Sequence, residues 1–276
     1  LGGPKSRLRA EHGFSTLVTL VKDGRRHSIL FDAGLTQDGL VQNMTILEVK
    51  AADLRAIVLS HGHGDHTMGL LGMLRERGRR KLPLLIHPEA FRTRKIVLPD
   101  GHETRLPPPS RSDLQAEGIE LIEETGPSYL LENAVMITGQ VPRVSDFEKG
   151  FSIHYAERDG QWEPDPWIHD DQAVVMKVRG KGLVVLTGCG HAGVINILIQ
   201  AQALTGGERI HAVLGGFHLT GGLFDPLIPR TVQELQRFAP SVVVPAHCTG
   251  WKATHAIAAA LPSAFVQNSV GTTFVF

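Results

Sequence analysis

Short apolar runs alternate with stretches of helical periodicity along most of the chain. Two β-rich runs, residues 15–21 and 27–31, flank a turn at Asp23-Gly24 and predict a β-hairpin. The later apolar runs are typical of buried strands. The predicted strands are 56–60, 82–87, 119–122, 134–137, 173–178, 183–186, 211–214 and 242–244, and the predicted helices are 40–49, 67–77, 194–204 and 231–238. Each half begins with a hairpin and continues with strand–loop–helix units, which predicts an α/β fold.

Two segments show neither the apolar runs of strands nor the helical spacing of apolar residues. Residues 98–112 are rich in proline and predict irregular structure. Residues 141–170 form a long polar insert, and loops of this length inside a compact domain are usually functional or disordered. The rings of this insert are Phe147, Phe151, Tyr155, Trp162 and Trp167. Because water-exposed rings need something to pack on, we predict a single domain over 1–276 with a substrate-selecting lid at 141–170.

Three uses of these rings stay open at this point. In the first, Trp167 stacks on a flat heterocycle such as a pterin, and Asp171 hydrogen-bonds its polar edge. In the second, the rings pack on a partner subunit, so that the protein is a homo-oligomer. In the third, they anchor the insert to its own domain.

Composition narrows the class of partner. The 276 residues include 28 basic and 28 acidic side chains, and a formal net charge of zero gives no general attraction to nucleic acid. No apolar run approaches the roughly 18 residues that cross a bilayer. Two cysteines are too few for a disulfide framework. We therefore expect a cytoplasmic protein that acts on a small molecule and has no nucleic-acid or membrane partner.

Charge is nevertheless uneven along the sequence. Basic residues dominate 75–111, and acidic residues dominate 112–171. Two interpretations stay open: the two sets offset each other on solvated faces, or the basic segment attracts an anionic substrate.

The strongest chemical signal is a cluster of potential metal ligands directly after the strand 56–60. It reads His61-Gly62-His63-Gly64-Asp65-His66. In a turned segment, His61 and His63 project to one side, whereas Asp65 and His66 can reach a second point. Imidazole and carboxylate together suit zinc, iron or manganese. The competing interpretation is an exposed His-rich turn, or a helix N-cap that uses Asp65.

This cluster resembles the HxHxDH motif of the metallo-β-lactamase superfamily, and Asp32-Ala33-Gly34 resembles the DxG motif of that family. Further motifs are similar to a subgroup named after the dihydropterin-methyl ribofuranosylaminobenzene phosphate synthase of methanopterin biosynthesis. They are His12-Gly13-Phe14-Ser15, Gly188-Cys189-Gly190-His191-Ala192-Gly193, Gly215-Gly216-Phe217-His218-Leu219 and His247-Cys248-Thr249-Gly250. The resemblance implies a four-layer αββα sandwich with a metal site at the sheet edges.

The sequence departs from the family pattern at two ligand positions. No histidine follows the strand 134–137, and Gly188-Cys189 stands where the family has a bridging aspartate. By the resemblance, His191 replaces the missing histidine, and His247 matches the last metal-binding histidine.

Three other residues have roles that the resemblance suggests less directly. Cys189 either binds metal as a thiolate or is an inert buried thiol. His218 either lines the substrate site or is structural. Asp32 is expected to orient a ligand histidine without binding metal itself.

The resemblance implies two divalent metal ions, with zinc favoured and iron or manganese compatible. The implied ligands are His61, His63 and His191 for one ion, and Asp65, His66 and His247 for the other, with Cys189 between them. The implied reaction is hydrolysis of a phosphoester, lactone or related bond by a water that Asp65 orients as the catalytic residue. The alternatives are a condensation of the synthase type and a metal-binding or redox module without hydrolysis.

Overall fold

The computed structural model describes residues 3–22 and 24–276, so Asp23 of the predicted turn lies outside the described residues. The chain divides into two compact units. Unit 1 contains the described residues of Leu1–Glu124, together with Ile153–Asp165 and Val270–Thr273. Unit 2 contains Thr125–Ser152, Pro166–Ser269 and Phe274–Phe276.

The strands are numbered in chain order. They are β1 (Thr16–Lys22), β2 (Arg25–Phe31), β3 (Leu54–Val58), β4 (Leu82–Ile86), β5 (Arg94–Val97), β6 (Glu103–Leu106), β7 (Ile119–Glu123), β8 (Ser128–Leu130), β9 (Val135–Ile137), β10 (His154–Arg158), β11 (Gln161–Pro164), β12 (Val174–Val178), β13 (Gly182–Thr187), β14 (Ile210–Gly216) and β15 (Val242–Ala246). The α-helices are α1 (Gln37–Ile46), α2 (Gly64–Thr67), α3 (Leu70–Arg77), α4 (Arg111–Ala116), α5 (Val194–Leu204), α6 (Ile228–Phe238) and α7 (Trp251–Ala260).

Unit 1 has two sheets. The first has the order β1-β2-β3-β4-β7, in which β1 is antiparallel to β2 and the other neighbours are parallel. The second, β11-β10-β5-β6, is antiparallel throughout. Because the carboxyl ends of parallel strands share one edge of a sheet, the residues after β2 and β3 come together there. These residues are Asp32 and the cluster 61–66.

Unit 2 has one sheet, of the order β15-β14-β13-β12-β9-β8. Strands β13, β14 and β15 are parallel, and the remaining pairs are antiparallel. The same reasoning places the segments after the three parallel strands at one edge. These segments carry Cys189, His218 and His247.

Each unit has its own hydrophobic core, in which helices pack on the sheet. In unit 1, Leu40 of α1 and Leu74 of α3 are buried with Ile57 of β3. In unit 2, Leu198 of α5 is buried with Val213 of β14. Each fully buried Leu, Ile or Val contributes roughly 2 kcal/mol to folding. This packing fixes the strands whose ends carry the candidate site residues.

The predicted α/β pattern is confirmed by the order of these elements. Helix 194–204 is α5, and Gly78 ends α3 with a φ of 73°. Helix α7 is not predicted by the hydrophobic pattern. It buries only Ala253 and Ile257 among its ten residues, so its apolar stripe is weak.

Two predictions of irregular structure are wrong. Residues 98–112 contain β6, which pairs with β5 and lies between the prolines. Residues 141–170 contain the hairpin β10–β11, which is joined to β5. Trp162 of this hairpin has Lys95 Nζ 4.7 Å and Arg105 Cζ 5.8 Å from its ring centre. The ring therefore anchors the hairpin to its own unit.

Many charges of the basic segment 75–111 are paired within unit 1. The pairs include Arg75 and Arg79 with Glu117, Lys81 with Glu120, Arg94 with Asp165, Lys95 with Glu103, and Arg111 with Glu123. These pairs favour the interpretation that the basic and acidic segments offset each other.

Candidate metal centre

The carboxylate of Asp32 organises the carboxyl edge of the first sheet. It is fully buried, and it follows β2 with a φ of 59°, a conformation that is strained for a residue with a side chain. Its Oδ1 accepts a hydrogen bond from the backbone N of Ser60 at 2.7 Å. Its Oδ2 accepts from the Ser60 hydroxyl at 2.7 Å and from Nδ1 of His66 at 2.6 Å. The predicted contact of Asp32 with a candidate ligand histidine is therefore present.

Three imidazoles of the cluster are packed together and buried. The ring centre of His61 lies 4.6 Å from that of His63 and 4.3 Å from that of His66. Nδ1 of His61 is hydrogen-bonded to the hydroxyl of Ser60 at 2.8 Å. With Nδ1 of His61 and His66 held by neighbours, Nε2 is the nitrogen that each ring offers to a ligand.

The backbone of the cluster fits closely against the segment after β4. A Cβ on Gly62 would lie 2.0 Å from the carbonyl oxygen of Ala90, so only glycine fits at this position. Both competing interpretations of the cluster are wrong. The three histidines are buried, and the N-cap of α2 is His63, not Asp65. Asp65 lies in the first turn, with 21% of its side chain exposed.

His63 differs from its two neighbours in its hydrogen bonding. Its Nε2 lies 2.9 Å from Nε2 of His154 on β10. Burial, and then the charges of His154 and Arg94, lower the pKa of His63 well below its usual range. The neutral imidazole is the form that binds metal. His154 is not predicted as a site residue from the sequence, because no motif surrounds it and the pairing of β10 with β5 is not local.

The candidate residues of unit 2 follow its three parallel strands. One ligand atom from each of Cys189, His218 and Cys248 lies within 4.8 Å of the others. The thiol of Cys248 donates to the carbonyl oxygen of Cys189 at 3.2 Å. His218 and His247 have φ values of 43° and 49°, which are left-handed and strained. Such strain is concentrated at functional sites.

His191 lies close to His218 and is held by the loop after β13. Their ring centres are 4.1 Å apart, and Phe151 stacks on His191 at 6.5 Å. Asp171, predicted to bind substrate, is fully buried, and its Oδ2 accepts from the backbone N of Ala192 at 2.8 Å. Burial raises the pKa of Asp171 to about 6, against that backbone hydrogen bond. In the structure, Asp171 supports the residue after His191.

Trp167 is half-buried, and its carbonyl oxygen accepts a hydrogen bond from the guanidinium of Arg143. The same guanidinium donates to the carbonyl of Val141. Arg143 therefore ties the beginning of the segment 141–170 to its end. The predicted contact of Trp167 with a substrate stays a prediction.

The donor chemistry of both units fits divalent metal. Unit 1 supplies the carboxylate of Asp65 and three buried imidazoles. Two of these imidazoles have their Nδ1 atoms hydrogen-bonded to Ser60 and Asp32. Unit 2 supplies further imidazoles and two thiols. Within the described part of the chain, the buried Nδ1 of His218 has no hydrogen-bond partner. Imidazole-rich sets with carboxylate or thiolate are typical of zinc and also accommodate iron or manganese.

Comparison with known proteins agrees with this donor set. Residues 12–198 match the model of the metallo-β-lactamase superfamily. The chain belongs to this superfamily. Among the described residues, no helix combines the length and the apolar character needed to cross a membrane.

Individual relatives cover most of the chain. The 7,8-dihydropterin-6-methyl-4-(β-D-ribofuranosyl)-aminobenzene-5'-phosphate synthase of Methanocaldococcus jannaschii is 27% identical over 91% of this chain and 85% of its own. An uncharacterized protein of the same organism is 31% identical over 88% of this chain and 86% of its own. The crystal structure of a metal-dependent hydrolase of the β-lactamase superfamily is 26% identical, with a TM-score of 0.77 over 96% of this chain and 92% of that one. The predicted fold type is thereby confirmed.

Proposed function

We propose that the protein is a metal-dependent hydrolase that holds two divalent ions, with zinc as the favoured metal. His61, His63 and His191 would hold one ion, Asp65, His66 and His247 would hold the other, and Cys189 is a further candidate ligand. The observation that carries this proposal is that three imidazoles are buried side by side. The Nδ1 atoms of two of them, His61 and His66, are hydrogen-bonded to Ser60 and Asp32. Such outer partners are a regular feature of metal-binding histidines.

When bound, the two ions acidify a water and polarise the bond that is broken. The residues of the chain supply orientation and proton transfer. Asp32 and Ser60 hold the rings of His66 and His61 so that Nε2 of each faces the site. Asp65 is the candidate ligand of unit 1 with the most exposed side chain, so it reaches solvent and orients the attacking water. It accepts the proton that this water releases.

The substrate is a small molecule with a phosphoester, lactone or related bond. His218 and Trp167 are proposed to line the substrate site. Asp171 is proposed to act through the loop that carries His191, because its carboxylate is buried against Ala192.

A second candidate is a synthase-type condensation on a phosphorylated, pterin-like substrate. It is favoured by the 27% identity to the archaeal synthase, which extends over 91% of the chain. The same donor set serves both reactions, since both use an electrophile that metal polarises.

The two candidates are separated by assay of the purified, metal-analysed protein. Chromogenic phosphate esters and lactones test hydrolysis. A dihydropterin with a leaving group on its 6-methyl carbon, supplied together with a phosphorylated ribosyl-aminobenzene whose amine displaces that group, tests condensation by chromatography of the product. We expect His63→Ala to lose metal and most turnover and to remain folded. His102→Ala is the matched control, because His102 is exposed in the β5–β6 turn. Full turnover in protein shown by elemental analysis to be metal-free would overturn both candidates.

A further inference from the structure

Three neighbouring parallel strands of unit 2 are each followed, at the same spacing, by a side chain that binds soft metals. Cys189 is the second residue after β13, His218 is the second after β14, and Cys248 is the second after β15. Strand β14 lies between the other two in the sheet. Neighbouring strands are roughly 4.8 Å apart, so the common spacing brings the three side chains to one place. One ligand atom of each lies within 4.8 Å of the other two.

Gly216, the last residue of β14, keeps the space between the two outer strands open. A Cβ at this position would lie 2.8 Å from Sγ of Cys248 and 3.0 Å from Cα of Cys189. Any larger residue would therefore push between the two cysteines. Glycine at the end of the middle strand lets the two thiols approach each other across it.

Hydrogen bonds between the three loops fix the backbone beside these side chains. The backbone N of Gly216 donates to the carbonyl oxygen of Gly188 at 2.9 Å. The backbone N of Phe217 donates to the hydroxyl oxygen of Thr249 at 3.1 Å. Each of these residues is a near neighbour of one of the three candidate ligands. The loops are therefore organised before any ion binds, which reduces the rearrangement that binding requires.

The imidazole of His218 is packed among aromatic rings and has one nitrogen to spare. Its ring centre lies 4.5 Å from that of Phe224 and 5.3 Å from that of Phe151. In the part of the chain that the structure describes, no group forms a hydrogen bond with its buried Nδ1. A buried polar atom without a partner is unfavourable, and a bound ion is one group that can supply the partner.

The donor set favours a soft ion of low coordination number. Cys189 and Cys248 are both free thiols, and they are only 4% and 5% exposed. Thiolates select copper(I) and zinc over harder ions, and zinc usually takes four ligands. This group offers three donors in buried surroundings, which suits a three-coordinate copper(I) ion. Each thiol releases its proton to the buffer as its sulfur binds the metal.

We propose that Cys189, His218 and Cys248 form a binding site for one copper(I) ion. His218 and Cys248 are not among the ligands proposed for the two zinc ions, so this site goes beyond the proposed function. Copper(I) bound there takes Cys189 as a ligand and competes with any zinc that this thiolate would otherwise bind.

The test uses the full-length protein, reduced, stripped of metal and kept without oxygen. Copper(I) is supplied as its coloured complex with bicinchoninate, and the loss of colour reports transfer to the protein. We expect the wild type to take up one ion per chain, and X-ray absorption at the copper edge to show sulfur and imidazole neighbours. No transfer from the chelator, or a spectrum without sulfur neighbours, would overturn the proposal without any variant.

Variants of the ligands then test the triad. Cys248→Ala leaves one thiol, whereas His218→Ala leaves both thiols without the imidazole. We expect the copper(I) affinity of each to fall by at least the about 10- to 100-fold that loss of an outer partner of a metal ligand causes. An unchanged affinity in either variant would overturn the three-ligand site. His255→Ala is the matched control, since His255 is exposed on α7.

The melting temperature of each variant reports folding. If Cys248→Ala melts at a lower temperature than the wild type, Cys248→Ser repeats the measurement with a side chain of nearly the original size. The expected loss of affinity is the same for both substitutions, because a serine hydroxyl does not replace a thiolate as a copper(I) ligand.

A variant of unit 1 separates this inference from the proposed function. His63 is one of the proposed zinc ligands, so His63→Ala should keep the copper(I) affinity of the wild type. Loss of copper(I) binding in folded His63→Ala would overturn the assignment to the three residues of unit 2. If the wild type binds copper(I) through all three donors but binds no zinc, the triad is supported and the proposed zinc centre fails. If it binds two zinc ions and no copper(I), the triad fails and the proposed function stands.

Discussion

Asp32 and His66 form a fully buried pair, in which Oδ2 of the carboxylate accepts from Nδ1 of the imidazole at 2.6 Å. The same carboxylate also accepts two hydrogen bonds from Ser60. One side chain therefore fixes both the backbone of the cluster and the tautomer of one candidate ligand.

Asp32→Asn tests this relationship. The amide can accept from Ser60, but its NH₂ group would face Nδ1 of His66 and force hydrogen onto Nε2 of that ring. We expect zinc affinity, measured by competition with a chelating dye, to fall about 10- to 100-fold. The free energy of unfolding of the metal-free protein should fall by about 1–3 kcal/mol. Asp38→Asn is the control, since the side chain of Asp38 is exposed and forms a surface ion pair with Arg9. Equal losses in both variants would contradict the role of Asp32.

Gly62→Ala tests the packing of the cluster against the segment after β4. The added Cβ would lie 2.0 Å from the carbonyl oxygen of Ala90, and a backbone atom cannot move aside as a side chain does. We expect a loss of about 1–3 kcal/mol in the free energy of unfolding, measured by urea denaturation. Gly222→Ala should have little effect, because no atom lies within 4 Å of a Cβ at that position. A neutral Gly62→Ala would mean that the cluster is not packed as described.

The part of this site that can be predicted from the sequence depends on how far apart its residues lie along the chain. The cluster 61–66 is contiguous, so its residue types alone indicate metal binding. His154 is 91 residues from His63, and only the non-local pairing of β10 with β5 brings the two rings together. His218 and His247, which follow β14 and β15, have a left-handed backbone that no local sequence pattern marks.

The distinction between local and non-local contacts also explains where the predicted secondary structure is wrong. Prolines at 99 and 107–109 indicate a break in local structure, but they leave room for the four residues of β6, whose pairing with β5 is decided by the sheet. Helix α5 is predicted correctly because its buried residues repeat at helical spacing.

Glu148 should make stability depend on pH. Burial raises the pKa of Glu148 from its ordinary value of 4.5 to about 7, although backbone hydrogen bonds from Ile195 and Asn196 at the beginning of α5 act to lower it. Because the folded state holds the proton more tightly, this contribution to stability is complete below pH 4.5 and is lost as the pH rises through 7.

Glu148→Gln cannot titrate at this position. Between pH 4.5 and 8, the free energy of unfolding of the wild type should therefore fall by about 3 kcal/mol relative to that of Glu148→Gln. Urea denaturation in the presence of a chelator measures both proteins. Glu76→Gln, at an exposed position of α3, should run parallel to the wild type. A constant difference between Glu148→Gln and the wild type across this range would show that Glu148 does not titrate between these values.

His191→Ala tests the proposed replacement of the missing family histidine. If His191 completes the ligands of one ion, the variant should bind one zinc per chain where the wild type binds two, by elemental analysis after gel filtration. His255→Ala is the matched control, since His255 is exposed on α7. Two tightly bound ions in His191→Ala would transfer the ligand role to His218 or Cys189, whose side chains lie together in unit 2.

Trp167→Ala tests whether the segment 141–170 contacts substrate. The ring is half-buried, whereas the backbone of Trp167 is tied down by Arg143, so removal of the ring should leave the course of the chain intact. We expect KM to rise or kcat to fall for the true substrate, with the metal content unchanged, because an aromatic stacking contact contributes about 1 kcal/mol. Trp251→Ala is the control, since Trp251 is 74% exposed on α7. If light scattering shows a change of mass in Trp167→Ala while the kinetics stay the same, the ring belongs to a subunit interface. If neither the kinetics nor the mass changes, the ring only anchors the segment to unit 2, as Trp162 anchors β10–β11 to unit 1.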